Sequence, residues 1–182
     1  MKTVVGIIFS AVLLVAAVTA KPPPPKFAEK GEALVAKLCE KSEDKAFCVS
    51  SLGSRPDADT ATAPELGVIA LSIASANASD TSAYIKAKLK TKNLEPALED
   101  TLDDCSTSYL DAVAQLDDSL AALLAYQYTD ADIWLNTAIS DVETCESALS
   151  ERDGHDEELE RRNTNLSKLV KNALLINIIL TP

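Results

Sequence analysis

The chain has 182 residues, of which 47% are apolar and 25% are charged, so it is long enough and apolar enough for one ordinary folded domain. It carries 28 Asp and Glu against 17 Lys and Arg, giving a formal net charge of −11 with no basic run. A phosphate backbone is bound by clustered basic side chains, so this composition excludes nucleic acid as a partner. Five glycines also leave no glycine-rich phosphate loop.

The first twenty residues have the pattern of a secretory signal peptide. Lys2 precedes an apolar run over residues 4–18, and the small residues Val18 and Ala20 predict cleavage after Ala20. The mature chain would carry a net charge of −12, would be secreted, and would have no membrane association after signal removal. Residues 21–26 contain four consecutive prolines and predict a rigid spacer rather than a recognition motif, so the folded domain is expected over residues 27–182.

Four cysteines, an even number in a secreted chain, predict two disulfide bonds, and four cysteines allow three pairings. They are Cys39, Cys48, Cys105 and Cys145. Two sequons, at Asn77 and Asn165, are candidate glycan acceptors. We favour Asn77, because Asn165 falls on a predicted helix with a buried face.

The N-terminal part of the domain predicts a helical hairpin. From Phe27 onward, apolar residues recur at helical spacing up to Cys39, and a second apolar cluster at 46–52 follows a polar turn at 42–44. A bond between Cys39 and Cys48 would join the two short helices, which would otherwise bury little surface and be marginal. A loop at 53–57 ends the hairpin.

Four longer amphipathic segments follow. The first begins at a capping box, Thr62 to Glu65, and its apolar face resumes at Ile85 and Leu89 beyond a polar stretch at 77–82. Breaks at 127–129, with Thr129 or Asp130 as the N-cap, and at 152–155 separate the others. Their apolar positions are 98, 102, 105, 109, 112, 116, 120 and 123; 131, 135, 138, 142, 145 and 149; and 159, 166, 169, 173, 176 and 180.

These segments predict an all-α, up-and-down four-helix bundle preceded by the hairpin. Cys105 and Cys145 occupy core-facing positions on consecutive helices, so the spacing argues for the pairs Cys39–Cys48 and Cys105–Cys145. The second bond closes a loop of about forty residues and would stabilise the fold by roughly 4 kcal/mol in the chain-entropy model.

The sequence offers no catalytic constellation. His155, the single histidine, lies in a polar break and is expected to be a solvated loop residue. No CxxC or HxxxH pair is present, so we expect no metal and no cofactor. The many adjacent carboxylates have the pattern of solvated helix faces. We therefore expect a protein that is not an enzyme.

Three aromatic residues are candidates for a partner interface. Trp134 precedes a core position, and Tyr126 and Tyr128 lie at the break between two helices, where aromatic side chains can anchor a partner. The competing interpretation, packing of the bundle end, is favoured over it.

Beyond these patterns, the sequence resembles the plant invertase and pectin methylesterase inhibitors over residues 38–180. The cysteine frame, with Thr144 directly before the last cysteine, carries the resemblance together with the Tyr128-x-Asp130-Ala131 peptide. The other matching peptides lie at 38–39, 47–52, 66–70, 97–98, 104–109, 111–113, 138–146 and 165–174.

The resemblance implies the same four-helix bundle, hairpin and disulfide pairs. It also implies a protein that has no activity of its own and covers the active-site cleft of a secreted carbohydrate-active enzyme in the cell wall or apoplast, with the vacuole as an alternative. Thr144 matches a family threonine near the enzyme interface.

The resemblance favours pectin methylesterase as the target. Invertase inhibitors of the family resemble one another in a Pro-Lys-Phe triplet before the fourth cysteine, and residues 126–130 lack it. Many pectin methylesterases are basic, so an acidic inhibitor would be attracted to them. Acid invertase is the alternative target, and a small-molecule- or lipid-binding bundle is a more distant alternative.

Overall fold

The structure, a computed structural model, describes residues 26–152 and 154–182; the predicted signal peptide and the four prolines lie outside these ranges. Within them the chain forms six α-helices and two short 3₁₀ turns, and no strand. The helices are α1 (Gly31–Leu38), α2 (Lys45–Gly53), α3 (Ala63–Leu89), α4 (Pro96–Leu124), α5 (Tyr128–Glu151) and α6 (Glu157–Leu180).

Helices α3 to α6 form the predicted four-helix bundle. Each packs against its neighbour in the chain, and α6 returns to pack against α3, which closes the bundle. Helices α1 and α2 form the hairpin, with α2 lying against α3 and α6. The core consists mainly of the apolar positions that the helical spacing predicts, including every listed position of α5 and α6.

Helices α4 and α5 are the most extensively packed pair. Small buried residues line both helices and permit close approach: Thr101, Ser108, Ala112, Ser119 and Ala122 on α4, and Ala131, Ala138 and Ala148 on α5. The three α4 hydroxyls donate to carbonyls of their own helix, so their burial leaves no donor unpaired. The disulfide Cys105–Cys145 spans this interface with 4.6 Å between the Cα atoms.

One buried polar chain connects three helices through the core. The Tyr109 hydroxyl of α4 donates to Asn163 Oδ1 of α6 at 3.1 Å, and Asn163 Nδ2 donates to the Val142 carbonyl of α5 at 3.3 Å. Burial raises the pKa of Tyr109, so the hydroxyl stays a donor. These bonds fix the register of the helices against one another, which apolar packing alone specifies poorly.

The hairpin is joined by the predicted disulfide Cys39–Cys48, but its first helix begins later than predicted. It starts at Gly31 rather than at Phe27. Gly31 has φ +63°, and a Cβ there would collide with the Asp59 carbonyl. The Gly31 N–H donates to the Ala61 carbonyl at 3.3 Å, so this glycine holds the start of α1 against the segment before α3.

The local sequence pattern predicts the start of α3 correctly and the start of α5 incorrectly. Glu65 Oε2 accepts from the Thr62 N–H at 2.7 Å, as the capping box predicts. The prediction of Thr129 or Asp130 as the N-cap of α5 is wrong: Gln127 is the N-cap, and its carbonyl accepts from the Ala131 N–H. The helix begins earlier because the turn after α4 leads directly into it.

At the other end of the bundle, a cluster of charged groups connects α3 with the start of α6. Asp156 caps α6 by accepting from the Leu159 N–H at 3.0 Å, and it also accepts from Tyr84 and Lys88 of α3. Burial alone would raise the pKa of Asp156, but the Leu159, Lys88 and Tyr84 donors outweigh it and lower the pKa.

We predict that Asp156→Asn lowers the free energy of unfolding by about 1–2 kcal/mol at pH 6, because the ion pair with Lys88 is lost while the amide still caps α6. Since the folded-state pKa is lowered, the carboxylate stabilises the fold above pH 3.8 and loses this effect as pH falls below it. Urea titrations at pH 6 and pH 3 measure the difference.

The exposed, unpaired Asp80→Asn is the matched control and should be neutral at both pH values. A gap between wild type and Asp156→Asn that stays constant down to pH 3 would contradict the role assigned to the charge.

Candidate functional site

Tyr126 occupies a strained position between α4 and α5. It has φ +58°, its N–H donates to the Leu123 carbonyl, and the next N–H, of Gln127, donates to the Ala122 carbonyl. This is the Schellman ending of a helix, in which glycine is usual at the left-handed position. A tyrosine there costs about 1 kcal/mol of strain, so its half-buried ring must contribute packing or contact in return.

The other two predicted aromatic residues have different environments. Tyr128 is 5% exposed, and its carbonyl accepts from Asn177 Nδ2 of α6 at 2.9 Å, so it packs the bundle end and its ring is not presented to a partner. Trp134 is 37% exposed and lies beside the exposed Ile133. Trp134 is therefore the aromatic side chain of α5 that a partner could contact.

Thr144 lies further along α5 on the solvent side. It is exposed, and its hydroxyl donates to the Ser140 carbonyl of the previous turn at 2.9 Å. The hydroxyl oxygen keeps its acceptor capacity for a donor from outside. Helical spacing places Thr144 on the same stripe as Ile133 and Ser140, about 15 Å from Trp134 along the axis.

The distribution of charge along the chain indicates a binding surface more strongly than these side chains do. The prediction from the sequence used the net charge but not its distribution. Residues 96–151, here called the acidic hairpin, contain thirteen Asp and Glu and no Lys, Arg or His. The whole acidic excess of the protein therefore lies on α4 and α5. Within the described residues, only Asp104 of this set has a basic partner, Arg152, at 2.5 Å. The signal was visible in the sequence as a run of 59 residues, 93–151, without a base.

Asp141 is the carboxylate of the acidic hairpin whose surroundings are least favourable to a negative charge. It is half-buried, and its Oδ2 is buried without a hydrogen-bond donor among the described residues. Burial, followed by the charge of Asp111 on α4, raises the pKa of Asp141. A positive charge brought close by a partner would lower the repulsion between Asp141 and Asp111.

In the described residues, the structure brings together no set of side chains that could form a catalytic or metal-binding site. His155 is exposed, as predicted, and its Nδ1 lies 3.6 Å from Glu160 Oε1. Across residues 26–152 and 154–182, no three His, Cys, Asp or Glu side chains are placed to hold a metal ion. No helix in these ranges is long and apolar enough to cross a membrane.

The two sequons lie in one place. Asn77 is inside α3 and Asn165 inside α6, and both line a groove of about 350 Å³ between α2, α3 and α6. Both sequons therefore lie on helices, because the polar stretch 77–82 continues α3; the Thr81 hydroxyl donates to the Asn77 carbonyl at 2.9 Å. Glycosylation at Asn77 stays a prediction.

These features define a class of protein: a disulfide-bonded four-helix bundle with an N-terminal hairpin and one strongly acidic pair of helices. Comparisons with known proteins agree with the class. The family model described as plant invertase/pectin methylesterase inhibitor matches residues 33–176. The chain belongs to this family, whose members are extracellular enzyme inhibitors.

Some relatives are named as invertase inhibitors and others as pectinesterase inhibitors. The chain is 32% identical over 134 residues to a protein of Platanus acerifolia named "Putative invertase inhibitor", with 74% of each chain covered. It is 26% identical to the pectinesterase inhibitor of Actinidia deliciosa, over 81% of this chain and 79% of that one. The fold matches a mutant form of a pectin methylesterase inhibitor from Arabidopsis with a TM-score of 0.73 and 18% identity, covering 81% of this chain and 97% of the other.

We predict that Asp141→Asn raises the free energy of unfolding at neutral pH by a few tenths of a kcal/mol. The raised pKa means that the charged carboxylate is less favourable in the folded chain than in the unfolded one, so an uncharged amide removes a cost. The gain should vanish below pH 3.8, where the wild-type carboxyl becomes neutral. Thermal or urea unfolding at pH 7 and pH 3 measures it.

Asp118→Asn, at an exposed site of the acidic hairpin, removes the same charge and should stabilise less. Equal gains in the two variants would mean that general repulsion, rather than the environment of Asp141, accounts for the effect.

Proposed function

We propose that this protein inhibits a pectin methylesterase by laying the outer face of α4 and α5 over the active-site cleft of the enzyme. The observation that carries the proposal is the charge distribution: a helix pair with thirteen carboxylates and no base is complementary to a basic protein surface. Membership of a family of enzyme inhibitors supports it.

The dimensions of the face suit occlusion. Helix α5 has 24 residues and is about 36 Å long, and two packed helices present a face about 20 Å wide. The product is roughly 700 Å², close to the area that one partner buries in a standard protein interface. Because the face is formed by two helices joined by a disulfide, little conformational entropy is lost on binding.

The mechanism needs no chemistry from the inhibitor, and we propose that the protein is not an enzyme. Carboxylates of the acidic hairpin attract the basic enzyme over a distance and orient it. Trp134 and Thr144 then provide contacts at the face, one apolar and one hydrogen-bonding. A cationic side chain of the enzyme close to Asp111 and Asp141 would lower the repulsion between these two carboxylates.

The connection between α4 and α5 favours pectin methylesterase over invertase as the target. It is a three-residue Schellman turn through Tyr126 without a basic residue, and it lacks the Pro-Lys-Phe triplet that the family resemblance associates with invertase inhibitors. Acid invertase is the second candidate, because the relative named as an invertase inhibitor has the higher identity of the two compared. With either enzyme, the place of action would be the cell wall or apoplast, or else the vacuole.

The proposal is tested by titrating the oxidised mature protein against a plant pectin methylesterase and a cell-wall invertase in parallel at mildly acidic pH. We expect stoichiometric loss of pectin methylesterase activity alone. Loss of invertase activity alone would transfer the function to the second candidate. No effect on several isoforms of either enzyme would overturn the inhibitor function.

Variants that remove carboxylates test whether the acidic hairpin attracts the enzyme. The triple variant Asp111→Asn, Asp118→Asn, Glu143→Gln removes three exposed charges from the acidic hairpin. We expect its association with the enzyme to be about tenfold slower at low salt, with a difference that shrinks as salt screens the charges. Stopped-flow or surface-based kinetics at two ionic strengths measures this.

A matched triple variant, Glu32→Gln, Glu40→Gln, Asp59→Asn, changes the net charge equally at exposed sites outside the acidic hairpin. It should associate at nearly the wild-type rate. Equal slowing by both triple variants would mean that net charge, and not this face, governs association.

Contacts are tested by Trp134→Ala and Thr144→Ala. Truncation of an aromatic anchor weakens binding by about tenfold or more, and Thr144, which is exposed, should change thermal unfolding little when it is truncated. Inhibition constants measure the effect, with Asn136→Ala on the same helix as the control. If Trp134→Ala inhibits as well as the control, α5 does not contact the enzyme through this side chain.

A further inference from the structure

The groove that contains both sequons lies on the side of the bundle that the proposed inhibition does not use. We call it the sequon groove; it is lined by α2 and the two residues after it, by α3 and by α6. In the closed bundle, where α3 packs against α4 and α6 packs against α5, the α3–α6 pair lies opposite to the acidic hairpin. A group attached in the sequon groove would therefore project away from the α4–α5 face.

Asn165 presents an accessible amide nitrogen in this groove. Its side chain is half-buried, but its Nδ2 is open to solvent and donates no hydrogen bond to a described residue. The neighbouring Leu166 and Leu169 are buried, so the packing of α6 at this point does not depend on the Asn165 amide. A glycan acceptor needs this combination of an open nitrogen and a backbone that is held by other side chains.

Asn77, across the groove on α3, has a less accessible amide. Its Oδ1 is closed to solvent and has no donor among the described residues. Part of the Asn77 amide is therefore enclosed by the neighbouring groups, whereas both polar atoms of the Asn165 amide are open. Because the two sequons share a helical position, exposure of the amide is the property that separates them, and it favours Asn165.

The helical position of Asn165 does not prevent its modification. An N-linked oligosaccharide is transferred to a sequon as the chain enters the secretory pathway, before the helices have formed. The predicted signal peptide would deliver the chain to this pathway. What the folded protein must supply is an open nitrogen and room for the attached sugar.

The lining of the sequon groove suits a sugar residue, which has C–H groups on its ring faces and hydroxyls at its edge. Phe47 and Leu169 provide apolar surface. The hydroxyls of Ser51, Ser54 and Ser72 donate to backbone carbonyls of the preceding helical turn, so their oxygens can still accept from sugar hydroxyls. The groove volume of about 350 Å³ lies within the range of small-molecule sites, so a first sugar residue has room.

We propose that Asn165 is a glycan acceptor, so that the secreted protein carries an N-linked oligosaccharide on the face opposite to the acidic hairpin. The co-reactant is an oligosaccharide carried on a lipid diphosphate. Asn165 Nδ2 forms a bond to the anomeric carbon of its first N-acetylglucosamine, and the bond from that carbon to the diphosphate oxygen breaks. The lipid diphosphate leaves with the electron pair, and a base of the transferase takes one amide proton. The modification does not depend on the proposed inhibition.

The test uses the full chain secreted from a plant host, together with a second version that has an unrelated secretory signal in place of residues 1–20. The secreted protein is treated with a peptide N-glycosidase in ¹⁸O-labelled water, which converts a glycosylated asparagine into labelled aspartate, and its peptides are measured by mass spectrometry. We expect the label at Asn165 in most of the molecules. A secreted, folded protein without the label at Asn165, or with the label at Asn77 alone, would overturn the proposal.

Variants of the sequon complete the test. Asn165→Gln and Ser167→Ala should each abolish the glycan at this site, whereas Ser167→Thr, which keeps the sequon, should retain it. Asn77→Gln is the matched control across the groove and should leave the modification of Asn165 unchanged. Circular dichroism checks that each variant is folded. A label at Asn165 that persists in Ser167→Ala would mean that deamidation, and not glycosylation, accounts for it, and the proposal would be wrong.

Discussion

The close packing of α4 against α5 is the constraint on which the rest of the structure depends. These helices carry thirteen carboxylates and no base, so their charges repel one another, and an isolated helix pair of this composition would be unstable. Small residues at the interface bring the backbones close enough for extensive contact, and the Cys105–Cys145 bond closes a forty-residue loop across it. That bond contributes roughly 4 kcal/mol in the chain-entropy model, enough to offset several unfavourable surface charge pairs.

Charges outside the acidic hairpin are used differently. Asp156 joins α3 to α6 through Lys88 and Tyr84, Glu158 pairs with Arg161 and Arg162, and Asp44 fixes the hairpin to α6 through Lys168. The Asp156 and Asp44 pairs join different elements, and the Glu158 pairs lie within α6. On α4 and α5, by contrast, Asp104 alone among the described carboxylates has a basic partner. Unpaired charge on the most extensively packed helices lowers stability, and contact with the basic enzyme proposed as the partner would give these charges a function.

Most of the fold could be predicted from the sequence, because helical periodicity and cysteine spacing depend only on local order along the chain. The core positions of α5 and α6 and both disulfides follow from them. The start of α1 could not be predicted, because the positive φ of Gly31 is imposed by Asp59, a residue distant in the sequence. Of the candidate site residues, Tyr128 turned out to be buried, which depends on how α6 ends against α5 through Asn177.

Asp141 connects stability with the proposed function. A half-buried carboxylate without a donor, close to a second carboxylate, lowers the stability of the free protein. A protein selected for stability alone would replace it by an amide or an apolar residue at little structural cost. Neither its own helix α5 nor the neighbouring α4 has a basic side chain that could pair with it. A cationic group of a bound enzyme near Asp111 and Asp141 would lower the repulsion between these two carboxylates, so part of this cost would be recovered in the complex. This is the behaviour expected of an inhibitor whose affinity depends on charge complementarity.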